Sequence, residues 1–433
     1  MFVLNYLYFL ILTLMLLSCL NRKGKALNSP WIERRKLRFT GPELFWTLLF
    51  STGMLSLSAP AGLDLMALRL FSLEVACLLC LCIAKGRAAF PLSALCYTVF
   101  LVWLIVGLFY TPSVPYGVRV LLKYLYPFLV MLTASAVVRD PEVFLKASLG
   151  ARMVALVSII VSFSFVEHLL FPGVFWYATA RAINYISICM LSLALFCCAG
   201  RRRKDLLYAG LFALPCLLWV FRTSIMGTVA GLMCFSLFKY RLRSLPFIAA
   251  AFLLGVAAVF CIPAVNRKMF NKEGVTIQDF FEGRLSKDDI NSNARFAMWQ
   301  YFENKFYRGR ELQGSGTGTT QQHFYTHHLF GGLRVLHSDI EQMKCDNGLI
   351  GLTLYYLSIT LIIGHCFLVF TGNRRRWIKV CALTAGSSMA GVAVTLYSDN
   401  VVNYSMCTLA YPFGFYGMML GLLKGQRQQK FLP

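Results

Sequence analysis

Asn347 to Phe370 reads NGLIGLTLYYLSITLIIGHCFLVF, with no Asp, Glu, Lys or Arg in the whole stretch. As a helix rising 1.5 Å per residue it reaches about 36 Å, enough to cross a hydrocarbon core of roughly 30 Å. Similar runs recur on both sides of it, near 2–20, 44–60, 63–84, 89–110, 117–137, 151–171, 181–200, 206–221, 223–238, 245–263, 377–397 and 405–423. With 58% hydrophobic and 14% charged residues, the composition excludes an ordinary soluble domain. The expected fold is all-α and polytopic, with about 12–13 transmembrane helices. Three parts follow: 1–263 as an N-terminal membrane domain of about ten helices, 264–346 as one large polar loop, and 347–433 as about three C-terminal membrane helices. No repeat of 20 to 50 residues and no correspondence between halves is visible, which weakens a carrier reading.

A net charge of +23 would fit a nucleic-acid binder, but its distribution does not. Alternate loops carry 26 of the 42 Lys and Arg residues: Arg22 to Arg38, Lys85 and Arg87, Arg139 to Arg152, Arg201 to Lys204, Lys239 to Arg243, Arg374 to Lys379 and Lys424 to Lys430. Only five acids accompany them, Glu33, Glu43, Asp140, Glu142 and Asp205, so the excess is +21 on one side against +2 for everything else. That asymmetry is the positive-inside pattern of a membrane protein, and no nucleic-acid partner is expected. It puts the N-terminus outside, the C-terminus in the cytoplasm and the 264–346 loop in the periplasm or cell exterior.

Most of the fifteen cysteines fall in apolar spans, where Cys acts as a small hydrophobe, and Cys345 alone is expected near the outer surface. No disulfide framework is predicted. Cys77, Cys80 and Cys82 lack a His or a second Cys pair within their helix, and no metal is expected there.

The polar loop and its borders carry the candidate chemistry. Arg222 stands at a helix break in WVFRTSIMG, a permanent cation whose planar fork matches phosphate oxygens. Arg295 lies in NSNARFAMWQYFENKF, which reads as a helix with Asn291, Ser292 or Asn293 as N-cap and with Arg295 and Trp299 on one face. Arg119 and Lys123 sit one turn apart at the outer end of a span, against the positive-inside bias; pairing with Glu74 or Glu167 is the structural alternative. His337 precedes SDIEQMKCDNGLIGL; on a continuous helix it shares a face with Glu341, and Asp339 and Glu341 could orient it or share base duty. His323, His327 and His328 with Asp339 suit zinc by spacing, but no carboxylate stands between the ligands, so surface histidines are expected. GSGTGTT at Gly314 to Thr320 lacks the Lys-Ser/Thr ending of a phosphate loop and reads as a mobile lid or linker. NGLIG at Asn347 to Gly351 permits close packing where the next helix enters the bilayer.

Three segments together resemble the O-antigen ligase and polymerase superfamily of bacterial envelope glycan assembly: FRTS with Arg222, NARFAMW with Arg295, and HSDIEQMKCDNGLIGL with His337. The resemblance covers about Leu217 to Leu354. It implies a GT-C-like glycosyltransferase in the bacterial inner membrane that uses an undecaprenyl-pyrophosphate-linked glycan, with no cofactor and no essential metal. On this chain it implies that Arg222 and Arg295 bind pyrophosphate, assisted by Lys123 and Arg119, and that His337 activates the acceptor hydroxyl with inversion at the anomeric carbon. The acceptor is a lipid-linked repeat unit for a polymerase or the lipid A core for a ligase, with membrane lipid, a flippase and a chain-length regulator as further partners. Ligase relatives often carry Asn after the His; Ser338 here favours a polymerase. A lipid-linked oligosaccharide flippase or other transporter is the reading from a different class, and it calls for charges across the membrane midplane.

Overall fold

A computed structural model describes residues 41–53, 65–84, 87–163, 182–200, 202–218, 222–272, 274–286, 289, 295–327 and 335–430. The expected span at 2–20, the basic cluster Arg22 to Arg38, Glu167, His328 and the expected N-cap at Asn291 to Asn293 lie outside those residues.

Among the described residues every regular element is helical. The helices are α1 Gly41–Thr52, α2 Leu65–Ile83, α3 Leu92–Gly107, α4 Val114–Val137, α5 Pro141–Phe163, α6 Ile186–Ala199, α7 Arg203–Leu218, α8 Arg222–Tyr240, α9 Leu245–Cys261, α10 Pro263–Met269, α11 Ile277–Phe281, α12 Arg295–Phe302, α13 Thr319–His327, α14 Asp339–Gly372, α15 Arg376–Thr395 and α16 Ala410–Lys430. Among the described residues five helices are long and apolar enough to cross a membrane, at Val114–Val137, Pro141–Ile160, Arg222–Ser244, Asp339–Gly372 and Arg376–Thr395. Leu70–Ile83, Leu92–Gly107, Ile183–Ala199 and Ile248–Cys261 are apolar but shorter.

Apolar chains cannot hold helices together by hydrophobicity when lipid is equally apolar, so close backbone approach matters. α8 meets α15 through Gly227 and Gly231 on one helix and Ser387 and Gly391 on the other; a Cβ on Gly391 would stand 2.6 Å from the Gly227 carbonyl oxygen. α16 lies along α4 in the same way, with Gly417 against the Met131 carbonyl and Gly421 against the Val138 carbonyl. Between α3, α4, α14 and α16 a cluster of Tyr97, Phe100, Tyr124, Phe128, Tyr355 and Phe413 fills the interior.

The two ends of this bundle differ. At one end the loops carrying Arg87 and Arg139 meet the C-terminal part of α16, which carries Lys424: Arg139 Nη2 donates to the Arg87 carbonyl at 2.9 Å, and Lys424 Nζ donates to the Ala88 carbonyl at 2.8 Å. At the other end lie the α3 C-terminus, the N-termini of α4, α8 and α14, the α15 C-terminus and the polar segment. One difference from expectation concerns α5, which begins at Pro141 rather than near 151. Lys146 and Arg152 are therefore buried helix residues and not loop charges, and Arg152 Nη1 pairs with Asp205 Oδ1 at 2.8 Å.

The polar segment has a small core of its own, made of Met298, Trp299 and Phe302 of α12, Phe324 of α13, Leu336 and Cys345. Cys345 is thus buried rather than near a surface.

Candidate functional site

Arg295, Asp339 and Lys123, together with Thr223 beside Arg222, converge on one stretch that the sequence did not single out, Leu396 to Asn403, which follows α15 and runs into the short helical turns before α16. Arg295 is the first described residue of α12, and its Nη1 donates to the Ser398 carbonyl at 2.7 Å. One turn on, Trp299 sets its ring edge-on to Tyr397 with centroids 5.6 Å apart, so the shared face expected for Arg295 and Trp299 addresses two consecutive loop residues. Arg222 is the first described residue of α8, and its neighbour Thr223 shares a hydroxyl hydrogen bond of 3.0 Å with Ser398. Burial holds the Arg295 guanidinium below its ordinary range; Asp399 opposes that shift and Arg222 adds to it. The two cations and one carboxylate therefore lie within electrostatic reach of one another.

Asp339 enters the same loop from α14. Its backbone N–H is shared between the Leu396 carbonyl at 2.9 Å and the Asp399 carbonyl at 3.3 Å, and its carboxylate Oδ2 accepts the Val402 N–H at 2.9 Å. Lys123 of α4 arrives from the opposite side, its buried Nζ donating to Asn403 Oδ1 at 2.5 Å. Arg119, one turn away, lies instead over the Tyr116 ring at 5.2 Å. The alternative partner Glu74 is buried with Oε1 taking no hydrogen bond.

His337 stands beside this hub, but not on a helix. α14 begins at Asp339, capped by Ser338, whose Oγ accepts the Glu341 N–H at 3.2 Å. His337 takes φ +53, a left-handed conformation that costs a non-glycine residue roughly 1–3 kcal/mol. The chain is pinned on both sides of it, by the Ser338 cap and by Trp299 Nε1 donating to the Leu336 carbonyl at 2.9 Å. The expected one-turn relation between His337 and Glu341 does not hold. Glu341 reaches Lys344 at 3.4 Å, and Lys344 also pairs with Glu303 in the π-helical turn after α12. Asp339 is committed to the loop and serves as its anchor.

Gly314 to Thr320 is the largest departure from the sequence reading. Every residue in it is buried. Asp346 carboxylate oxygens accept the Gly318 and Thr320 N–H groups at 3.1 and 2.8 Å, the Asp346 carbonyl accepts Gly316 N–H at 2.8 Å, and Thr317 Oγ1 donates to Leu104. Asn347 Nδ2 donates to Thr317 Oγ1 at 2.7 Å, and Thr111 Oγ1 donates to the Thr317 carbonyl at 2.8 Å. Gly314, Gly316 and Gly318 have φ of +73, +104 and +85; a Cβ on Gly316 would lie 2.6 Å from Thr111 Cα, and one on Gly318 2.6 Å from Gly117 N. The glycines serve backbone-to-backbone packing, not mobility. The segment is a strap that ties the start of α14 to α3 and α4. The close packing expected at NGLIG is part of it: Gly348, at φ +66, presses on Leu312 and Gln313.

His323 also departs from expectation. It is 6% exposed, boxed by Phe302 and Phe306, with Tyr301 Oη 3.1 Å and Lys305 Nζ 3.5 Å from its Nε2. Burial, with Lys305 and then His327 adding like charge, pushes it down to about 4. His327 is exposed, its ring 4.0 Å from that of His323. Among the described residues no three His, Cys, Asp or Glu side chains gather in a way that would hold a metal ion.

Ser398, Asp399 and Asn403 were missed by sequence reading. For Ser398 and Asp399 the signal was present as YSDN, a polar break at Tyr397 to Asn400 between two apolar runs; Asn403 lies beyond it. No family model matches this chain, and no curated protein matches it.

Proposed function

We propose that this chain is an integral-membrane glycosyltransferase acting on an undecaprenyl-pyrophosphate-linked glycan, with Arg222, Arg295 and Lys123 holding the pyrophosphate and His337 taking the acceptor proton. The observation that carries the reading is that Arg295 and Thr223, the residue after Arg222, both bond Ser398, next to Asp399, on the loop that Asp339, close in sequence to the strained His337, also bonds. Two guanidinium groups within electrostatic reach of each other repel, and a polyanion relieves that repulsion. As the glycosyl bond breaks, charge builds on the departing pyrophosphate, where fixed cations stabilise the transition state more than the ground state. A neutral imidazole is suited to accept the hydroxyl proton of the incoming sugar.

In this reading the basic end of the bundle is cytoplasmic and the site faces the periplasm of a bacterial inner membrane. Ser338 after the histidine favours a polymerase, which joins a growing chain to a lipid-linked repeat, over a ligase that delivers it to lipid A core. The direct test is purified protein in proteoliposomes given undecaprenyl-pyrophosphate-linked repeat units, with and without lipid A core. Polymer with release of undecaprenyl pyrophosphate is expected; no transfer to either acceptor would end the reading.

A flippase reading has one observation of its own, the buried Glu74 carboxyl with an unpartnered oxygen midway along α2. Ionisable groups inside spans mark transport paths. Glu74→Gln separates the two: a transporter loses glycan export, whereas a transferase keeps its product.

A further inference from the structure

Outside the arginine hub, one cluster at the same end of the bundle joins two aromatic rings and a cation. Tyr116 in the first turn of α4 faces Tyr325 of α13, with ring centroids 5.5 Å apart and planes 30° from parallel. The Arg119 guanidinium lies 5.2 Å from the Tyr116 centroid. Tyr116, Arg119 and Tyr325 are all half-buried, so each keeps surface open to a ligand. The arrangement is rigid because the strap joins its two halves: Gly318 packs its backbone on Gly117, next to Tyr116, and leads directly into α13.

Its position relative to the hub is set by α4. Lys123 reaches the loop through Asn403, Arg119 is one turn nearer the helix start, and Tyr116 nearly one turn beyond that. At 1.5 Å per residue the platform stands about 10 Å along α4 from Lys123. Phosphate chemistry does not explain two tyrosines there. Sugar chemistry does: the C–H face of a pyranose carries slight positive charge and packs on the negative face of an aromatic ring. The Arg119 guanidinium over Tyr116 adds N–H donors of the kind that sugar hydroxyls accept.

We infer that Tyr116, Tyr325 and Arg119 form a sugar-binding platform for the part of the glycan next to the reacting unit, which assigns Arg119 to sugar hydroxyls and not to pyrophosphate. This rests on the transferase reading and names where that reading's substrate lies. A platform at fixed distance from the hub holds the chain in register while the bond at the anomeric carbon is made.

The test uses the full-length protein in nanodiscs and two measurements. Binding of short oligosaccharides cut from the host's own surface polysaccharide, without lipid or phosphate, is followed by saturation-transfer NMR; transfer from the lipid-linked donor is followed kinetically. Tyr116→Leu, Tyr325→Leu and Arg119→Gln are expected to weaken oligosaccharide binding and raise KM about tenfold or more, with kcat little changed. Tyr116→Phe and Tyr325→Phe, which keep the ring, are expected to stay near wild type. Arg222→Ala should bind the free oligosaccharide normally. Wild-type binding and KM in all three platform variants would overturn the inference while leaving the transferase reading intact. Oligosaccharide binding that depends on Tyr116 in a protein that transfers nothing would uphold the platform and remove the transferase reading. Should the Leu variants fail to fold, Arg119→Gln against the Phe variants decides the matter.

Discussion

Arg295 Nη1 donates to the Ser398 carbonyl oxygen at 2.7 Å across 103 residues of sequence, and this bond ties the polar segment to the C-terminal end of α15. Ser398 shares its hydroxyl with Thr223, next to Arg222. One loop residue therefore touches two chain segments that each carry a candidate phosphate ligand.

Arg222→Ala and Arg295→Ala are expected to abolish polymer while the protein still inserts and folds. Losing one charge-assisted contact to a leaving group costs about 3 kcal/mol, or roughly a hundredfold in rate. Lys at either position should recover little, since an ammonium lacks the fork that holds two oxygens at once. Glycan ladders from complemented deletion strains, with membrane levels checked by immunoblot, give the result; wild-type ladders from both Ala variants would return the arginines to a structural role.

The strap makes a stability prediction. Asp346→Ala leaves the buried Gly318 and Thr320 N–H groups without their acceptor, at about 1–3 kcal/mol each. Asp346→Asn keeps one acceptor oxygen and should fall between. Gly316→Ala is expected to be harmful on two counts, a φ of +104 and a Cβ driven into Thr111. Thermal unfolding in detergent reads all three, and an unchanged midpoint in Asp346→Ala would contradict the strap.

His323 gives stability a pH dependence with a definite sign. Its imidazole is held down to about 4 in the fold, against 6.5 for an unperturbed one. Between those values the unfolded chain binds the extra proton, so stability falls as pH drops from about 6.5 toward 4 and is unaffected by this group above that window. His323→Gln should flatten the midpoint-against-pH profile in that range. Parallel profiles for the two proteins would mean that His323 is not buried in its neutral form.

Which of these features could be read in advance follows from how local each one is. The spans beginning at Val114, Arg222 and Arg376 were legible because a membrane-crossing helix announces itself in composition alone. Pairing of Arg152 with Asp205 was not, since each looked like a loop charge until α5 proved to start at Pro141. The strap was misread because glycine content describes both a flexible linker and a tightly packed backbone; only the partner surface at Thr111, Gly117 and Asp346 distinguishes them. A shared face for His337 and Glu341 required a helix continuous through His337, whereas Ser338 and Glu341 spell the Ser-x-x-Glu start signal three residues apart. The convergence on Ser398 and Asp399 depends on contacts between distant segments, for which no short-range pattern exists.

The last prediction concerns His337 and separates polymerase from ligase. Should the chain be a polymerase, a deletion strain displays lipid A core capped with at most one repeat unit; should it be a ligase, polymer accumulates on undecaprenyl pyrophosphate and the core stays bare. His337→Ala is expected to copy the deletion in either case, because general-base help contributes about 10² to 10⁴ in rate. His337→Gly should lose activity equally yet unfold at a higher temperature than His337→Ala, since glycine takes φ +53 without the penalty that alanine pays. Glu341→Gln should be mild: the carboxylate faces Lys344 and sits one turn into a helix that His337 never joins. A normal ladder from His337→Ala would remove the histidine from the mechanism, and a Glu341→Gln strain as defective as the deletion would make Glu341 the base in its place.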